Sequence, residues 1–158
     1  MPFPRNVIAV DPGQKGGVAL YRKGGITLKG FTHFTETEFM EVVGGMDPAE
    51  TDAVIESIPP YTGANIPSSS AFKLGYNYGF ESGVLMAMKF PLHLVKPQKW
   101  QAGLEGLRGL TGAPRKRKLK SHACRLYPEL KITLATADAL LILDWWHRTQ
   151  NPIRDART

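Results

Sequence analysis

VIAVDPGQKGG, residues 7–17, runs from four apolar residues into Asp-Pro-Gly and then into a pair of glycines. Val7–Val10 reads as a short strand that the Asp-Pro-Gly turn closes. Asp11 therefore stands at the C-terminal end of an apolar strand, beside glycines that let the backbone turn sharply and let a ligand come close. An isolated Asp in such a place ordinarily does no more than begin an Asx-type turn. What Asp11 means depends on the partners the rest of the chain brings to it.

Outward from that strand, Gly17–Tyr21 and Ile26–Phe34 are β-prone and are separated by the Arg22–Gly25 turn, which predicts an opening three-strand meander. Thr35 precedes Glu38 at capping-box spacing, and Phe39, Val42 and Val43 form an apolar stripe, predicting a helix over 36–45. Ala53–Glu56 returns as a buried strand, and Ser57–Ser70, with three prolines and no period, is a long irregular loop. The pattern is helical over Ala71–Met88, where Gly75, Gly79 and Gly83 fall on one face. Glycines there cost helix stability, so close packing against them is expected. Leu92–Val95 is a strand, Pro97–Leu104 a short helix, Glu105–Ala113 a glycine-rich connection, and Pro114–Tyr127 and Thr136–Arg148 the last two helices.

Strands first, then strand and helix in alternation, predict an α/β fold in which a mixed five-stranded sheet carries helices on both faces. A length of 158 residues with 42% hydrophobic content suits one domain, taken as 1–150, followed by a polar tail over 151–158 expected to fray. The run Ala139–Leu143 is far below the roughly 20 apolar residues needed to cross a bilayer, and the N-terminal MPFPRN has no signal-peptide core. A soluble, cytoplasmic protein without membrane contact is the expectation. Cys124 is the single cysteine, which excludes an internal disulfide and a cysteine-rich zinc site, and its helical setting suggests a small apolar filler.

Charge is unevenly distributed. Residues 1–95 carry 7 basic and 9 acidic side chains, net −2, whereas 96–158 carry 13 basic and 5 acidic, net +8. Such asymmetry predicts a face that meets a polyanion. The densest stretch is Arg115, Lys116, Arg117, Lys118 and Lys120 at the start of a helix, which Lys96, Lys99 and Arg125 could extend. On its own a run of this kind is most often a solvated face.

Two further carboxylates share the setting of Asp11. Glu56 ends the strand in AVIES, where an unpaired carboxylate is costly to desolvate and wants a cation or a hydrogen-bond donor. Asp138 lies in ATADALLILDWW, a helix apolar on nearly every face; as a lone residue it could be a cap favoured by the helix dipole. Together, three carboxylates at the edges of apolar elements match what oxygen-loving divalent ions require. Phosphodiester hydrolysis is the chemistry that uses such a site most naturally.

VIAVDPG, AVIES, LVKPQKW and TADALLI, in this order and spacing over residues 6–147, resemble the RuvC-type Holliday-junction resolvases, especially their phage relatives. The resemblance implies an RNase H-like fold, a homodimer, and Asp11, Glu56 and Asp138 as catalytic ligands of Mg²⁺, for which Mn²⁺ would substitute. It implies in-line attack by a metal-activated water on branched DNA, leaving a 5′-phosphate and a 3′-hydroxyl. Beside such a site the basic run reads as phosphate-binding rather than merely solvated, through Lys96, Lys99, Arg115, Lys116, Arg117, Lys118 and Lys120, with Lys131 placed near the cleaved strand. Tyr61, with Phe72 beyond it, falls where side chains would stack on an unpaired base, although core packing is an equal reading for Phe72. The chain departs from the family pattern at Ala135, where an Asp or His is expected three residues before the final Asp. Asp144 cannot replace it, because six helical residues turn a side chain by about 240°.

Other readings remain open at this point. An actin-like ATPase would need two duplicated domains, which do not fit. A non-catalytic branched-DNA-binding protein fits the loss at Ala135, and a flap or fork endonuclease of the same fold fits the residues as well as a junction resolvase does.

Overall fold

Residues 5–31, 35–61 and 65–150 are described by a computed structural model of the chain; the tail over 151–158 lies outside them. β1 (Asn6–Asp11), β2 (Gly17–Arg22) and β3 (Gly25–Gly30) form the expected antiparallel meander. β4 (Thr51–Glu56) and β5 (Leu92–Val95) then add in parallel on the other side of β1, giving the order β3-β2-β1-β4-β5. α1 (Glu36–Gly44) and α2 (Ser68–Ala87) cover one face, and α3 (Pro97–Trp100), α4 (Gly112–Leu126) and α5 (Ala137–Gln150) the other.

Side-chain alternation in the strands divides the interior in two. Val7, Ala9 and Val54 pack with Trp100, Leu119, Ala123 and the apolar length of α5. Ile8, Val10, Ala53 and Ile55 pack with Phe39, Val43 and Leu85 of α1 and α2. β1, buried on both sides, is the axis of the domain.

Most boundaries fall where the sequence puts them, and the exceptions have local causes. α1 is capped as predicted, Thr35 Oγ1 accepting from Glu38 N at 3.2 Å. β3 ends at Gly30 rather than Phe34; residues 32–34 lie outside the described set. α2 begins three residues early because Pro67 O accepts from Ser70 N and Ala71 N, a start that three serines hide from any apolar period. α3 stops at Trp100 rather than Leu104, ahead of Gly103, whose φ of +84° cannot continue a helix.

Two packing expectations are not met within the chain. Among the described residues, a Cβ at Gly75, Gly79 or Gly83 would meet nothing within 4 Å, so the glycine face of α2 does not pack on the sheet. The face turned to the sheet carries Asn77, Glu81, Ser82 and Leu85 instead. Cys124 is exposed on α4 and fills no core position. Among the described residues, no helix is long and apolar enough to cross a membrane.

Candidate functional site

The alternation that divides the core also aims the carboxylates. Val7 and Ala9 face α4 and α5, so Asp11 two residues on faces the same way; Val54 likewise sets the direction of Glu56. β1 and β4 run parallel with Val10 opposite Ile55, so Asp11 and Glu56 end neighbouring strands at one edge, roughly 4.8 Å apart in backbone. This is the carboxyl edge of the parallel pair, where open α/β sheets hold their ligands.

Asp138 reaches the edge because α5 starts against it. A Cβ at Gly17 would stand 2.7 Å from Ala135 O, so only glycine lets the lead-in to α5 lie this close to β2. The lead-in is itself pinned, with Thr133 N donating to Thr136 Oγ1 at 3.0 Å and Ala137 N to Thr133 O at 3.1 Å. Asp138 follows in the first turn of α5.

Asp11 and Asp138 are each 6% exposed. Gly13 N donates to Asp11 Oδ1 at 3.2 Å, so the Asx turn forms and occupies one oxygen. The other, Asp11 Oδ2, has no hydrogen bond among the described residues and is ion-paired with Lys116 Nζ at 3.5 Å. The same ammonium donates to Asp138 Oδ2, while Asp138 Oδ1 is buried without a partner. Glu56 accepts a 2.6 Å bond from Trp100 Nε1.

Burial, then the charge of Asp11, pushes Glu56 up to about 7 despite the indole bond. The same two causes raise Asp138 to about 6 against the pull of Lys116. Burial works to lower Lys116, but Asp11 and Asp138 outweigh it and hold the ammonium above its ordinary value. The edge is thus a desolvated place with excess negative charge.

Its donors suit a hard divalent cation: carboxylate oxygens only, Asp138 Oδ1 without a partner among the described residues and Asp11 Oδ2 met only by the Lys116 ammonium, around a position already taken by a positive group. Among the described residues, no three Asp, Glu, His or Cys side chains stand close enough together, as they are, to hold a metal ion. Glu56 is turned to Trp100, and Asp138 to Lys116. Asp144 is elsewhere, as its rotation predicts, accepting from Tyr127 Oη at 2.9 Å and from Arg148 Nε at 2.8 Å.

The basic residues divide by geometry. Arg117, Lys118, Lys96, Lys99 and Lys131 are exposed and Lys120 half-buried; α3 and α4 pack on the same side of the sheet as the carboxylates. Arg115 is tied inside the chain, donating to Leu107 O at 3.0 Å, Leu110 O at 3.3 Å and Gln101 Oε1, so it pins the glycine-rich connection instead of offering a free guanidinium. Lys116 points into the carboxylates rather than outward. Tyr61 is 73% exposed and so is Phe72 at 74%, which removes the core reading of Phe72.

Three participants escape a sequence reading. Lys116 was one of a run, yet it lies one turn before Leu119 and two before Ala123 on the stripe that faces the core, a spacing that marks it as the inward lysine. Trp100 is fully buried, and its indole N–H needs an acceptor there. Glu81, on the stripe Asn77–Glu81–Leu85, is completely buried, and neither of its oxygens has a partner among the described residues.

No family model matches the chain, and no curated protein matches it significantly. Solved structures do. Thermus thermophilus RuvC in complex with a Holliday junction substrate superposes with a TM-score of 0.62 at 15% identity, covering 92% of this chain and 96% of that one. A second Thermus thermophilus RuvC structure gives 0.57 at the same identity and coverage. Likeness at this identity establishes the fold, the RNase H-like architecture of RuvC.

Proposed function

We propose that this chain, which has the fold of RuvC, is a metal-dependent endonuclease that cuts branched DNA, four-way junctions foremost, as a homodimer. The observation that carries the reading is that Asp11, Glu56 and Asp138, from three separate elements, lie within electrostatic reach of one another at one desolvated edge, with exposed basic residues of α3 and α4 on the same side of the sheet. The neighbour's complex with a Holliday junction supports the choice of substrate.

Asp11, Glu56 and Asp138 would hold Mg²⁺ or Mn²⁺, which when bound supplies an activated water and neutralises charge on the scissile phosphate. The chain's own groups do the rest. Trp100 fixes the direction of Glu56 through its indole N–H. Lys96, Lys99, Arg117, Lys118, Lys120 and Lys131 hold the sugar–phosphate backbone without reading sequence. Tyr61 offers an exposed ring to a base unstacked at the branch. Cleavage leaves a 5′-phosphate and a 3′-hydroxyl.

Ala135 and the Lys116 ion pairs favour one other reading, a branched-DNA-binding protein that does not cut. A 5′-labelled four-way junction, a flap and a linear duplex, each with Mg²⁺, Mn²⁺ or chelator, separate the cases. Symmetric, metal-dependent nicks in the junction are the expected result. Cuts confined to the flap move the substrate, and tight binding without cuts in either metal overturns the nuclease.

Protons compete with the cation for this site. Glu56 and Asp138 stay protonated up to about 7 and about 6, so raising the pH empties both carboxylates for metal. Mn²⁺ affinity measured by calorimetry is expected to rise at least about tenfold from pH 5.5 to 7.5. A flat profile would remove these carboxylates from the metal site.

The dimer rests on α2. Its glycine face is open among the described residues, and Phe72 and Tyr76 stand exposed nearby, so a second copy of α2 can approach closely. Gly79→Glu meets nothing inside the chain and is expected to leave the circular dichroism spectrum unchanged while converting a sedimenting dimer to monomer. Paired nicks should then become independent ones. A variant that still sediments as a dimer would place the interface elsewhere.

A further inference from the structure

We infer that Lys116 is a tethered counter-cation that occupies the divalent ion's place between Asp11 and Asp138, so that metal entry requires its ammonium to leave. The inference rests on the proposed metal-dependent reading and concerns how that site is filled.

The geometry is specific. One ammonium meets Oδ2 of both carboxylates, bonding Asp138 and lying 3.5 Å from Asp11. Both acceptors are buried, whereas the Lys116 side chain keeps 44% of its exposure, so it enters from the solvent side and can withdraw the same way. Its backbone is fixed in the first turns of α4 by Leu119 and Ala123 in the core, which leaves the four-carbon stem as the moving part. Without the ammonium, two carboxylates would face each other in a desolvated place with no positive charge between them, an arrangement that strongly disfavours ionising both. A divalent ion satisfies the same oxygens with more charge, and Asp11 Oδ2 and Asp138 Oδ1 still lack hydrogen-bond donors. The lysine also accounts for the absence, among the described residues, of a ready-made group of metal ligands. Asp138 is held by Lys116, not by a shared ion.

The test uses the full chain without DNA. Lys116→Met keeps the length of the stem and removes the charge; it is expected to bind Mn²⁺ at least about tenfold more tightly in calorimetry, as the loss of one partly buried competing ion pair implies. In chelator the variant should melt below wild type, with Mn²⁺ closing the gap. A second measurement needs no variant: the rate at which an acetylating ester modifies Lys116 in the wild-type protein, read by mass spectrometry, should rise several-fold when Mg²⁺ is added. Equal or weaker Mn²⁺ binding by the variant, or an acetylation rate at Lys116 indifferent to Mg²⁺ under conditions where the wild type binds it, overturns the inference and leaves the nuclease standing. A wild type and variant that both bind no divalent ion overturn the nuclease reading itself.

Discussion

Asp11→Asn is expected to lower junction cleavage by at least about a thousandfold, equivalent to roughly 4 kcal/mol of barrier, with junction binding held near the wild-type value. The amide has the shape of the carboxylate, and its carbonyl oxygen can still accept from Gly13 N, so the Asx turn that closes β1 survives. What disappears is the charge. Asp11 is the one carboxylate that raises both Glu56 and Asp138, which places it electrically between them. On the proposed reading, binding rests on the basic residues of α3 and α4, which the change does not touch, and loss of a negative charge at the edge removes a repulsion toward phosphate. Single-turnover cutting of a labelled junction in Mg²⁺, beside gel-shift binding in Ca²⁺, checks both halves. Asp138→Asn should behave alike, whereas Asp144→Asn should cut normally, since Asp144 is engaged with Tyr127 and Arg148. Cutting by Asp11→Asn within tenfold of wild type would end the three-carboxylate mechanism.

The residues that make the site legible from sequence are those whose meaning is fixed by an element boundary. A carboxylate at the end of an apolar strand can only face the sheet edge, and two such strands in parallel bring Asp11 and Glu56 together. Asp138 is legible for the same reason, as the polar residue in the buried first turns of α5. The meander and the capped α1 follow from turn chemistry and period, and the mixed sheet from the order of strands and helices. Lys116 and Glu81 are less legible because each sits in a stretch whose composition suggests something else. Five cations in six residues read as surface, and only the helical phase shared with Leu119 singles out Lys116. The glycines of α2 draw attention to the wrong face; the buried one is set by Leu85, one turn beyond Glu81. Arg115 and Trp100 show a third limit. Their partners are a backbone turn and a strand end far along the chain, which no local pattern reports.

Glu81→Gln is expected to stabilise the protein by about 3 kcal/mol at pH 7 in chelator, and by almost nothing at pH 4.5. Glu81 is fully buried, both oxygens lack partners among the described residues, and burial followed by the charge of Asp11 pushes its carboxyl from 4.5 up to about 9. The folded chain therefore keeps the proton that the unfolded chain gives up from pH 4.5 onward. Stability linked to this group is whole below 4.5 and declines steadily as the pH rises toward 9, some 2.5 pH units of that loss having accrued by pH 7 at roughly 1.4 kcal/mol each. Glutamine fills the same space, leaves the hydrogen-bonding of the site about as poor as that of the neutral acid, and never ionises. The melting temperature of the variant should exceed that of wild type by about 6–12 °C at pH 7, with the two curves converging toward pH 4.5 and diverging further toward pH 8.5. The sheet lies between Glu81 and the carboxylate edge, for α2 packs with Leu85 against the α1 side, and yet the charge of Asp11 still reaches it. Equal melting temperatures at pH 4.5 and 7 would mean that Glu81 finds a partner on ionising, and that the interior behind Asp11 is less dry than its burial implies.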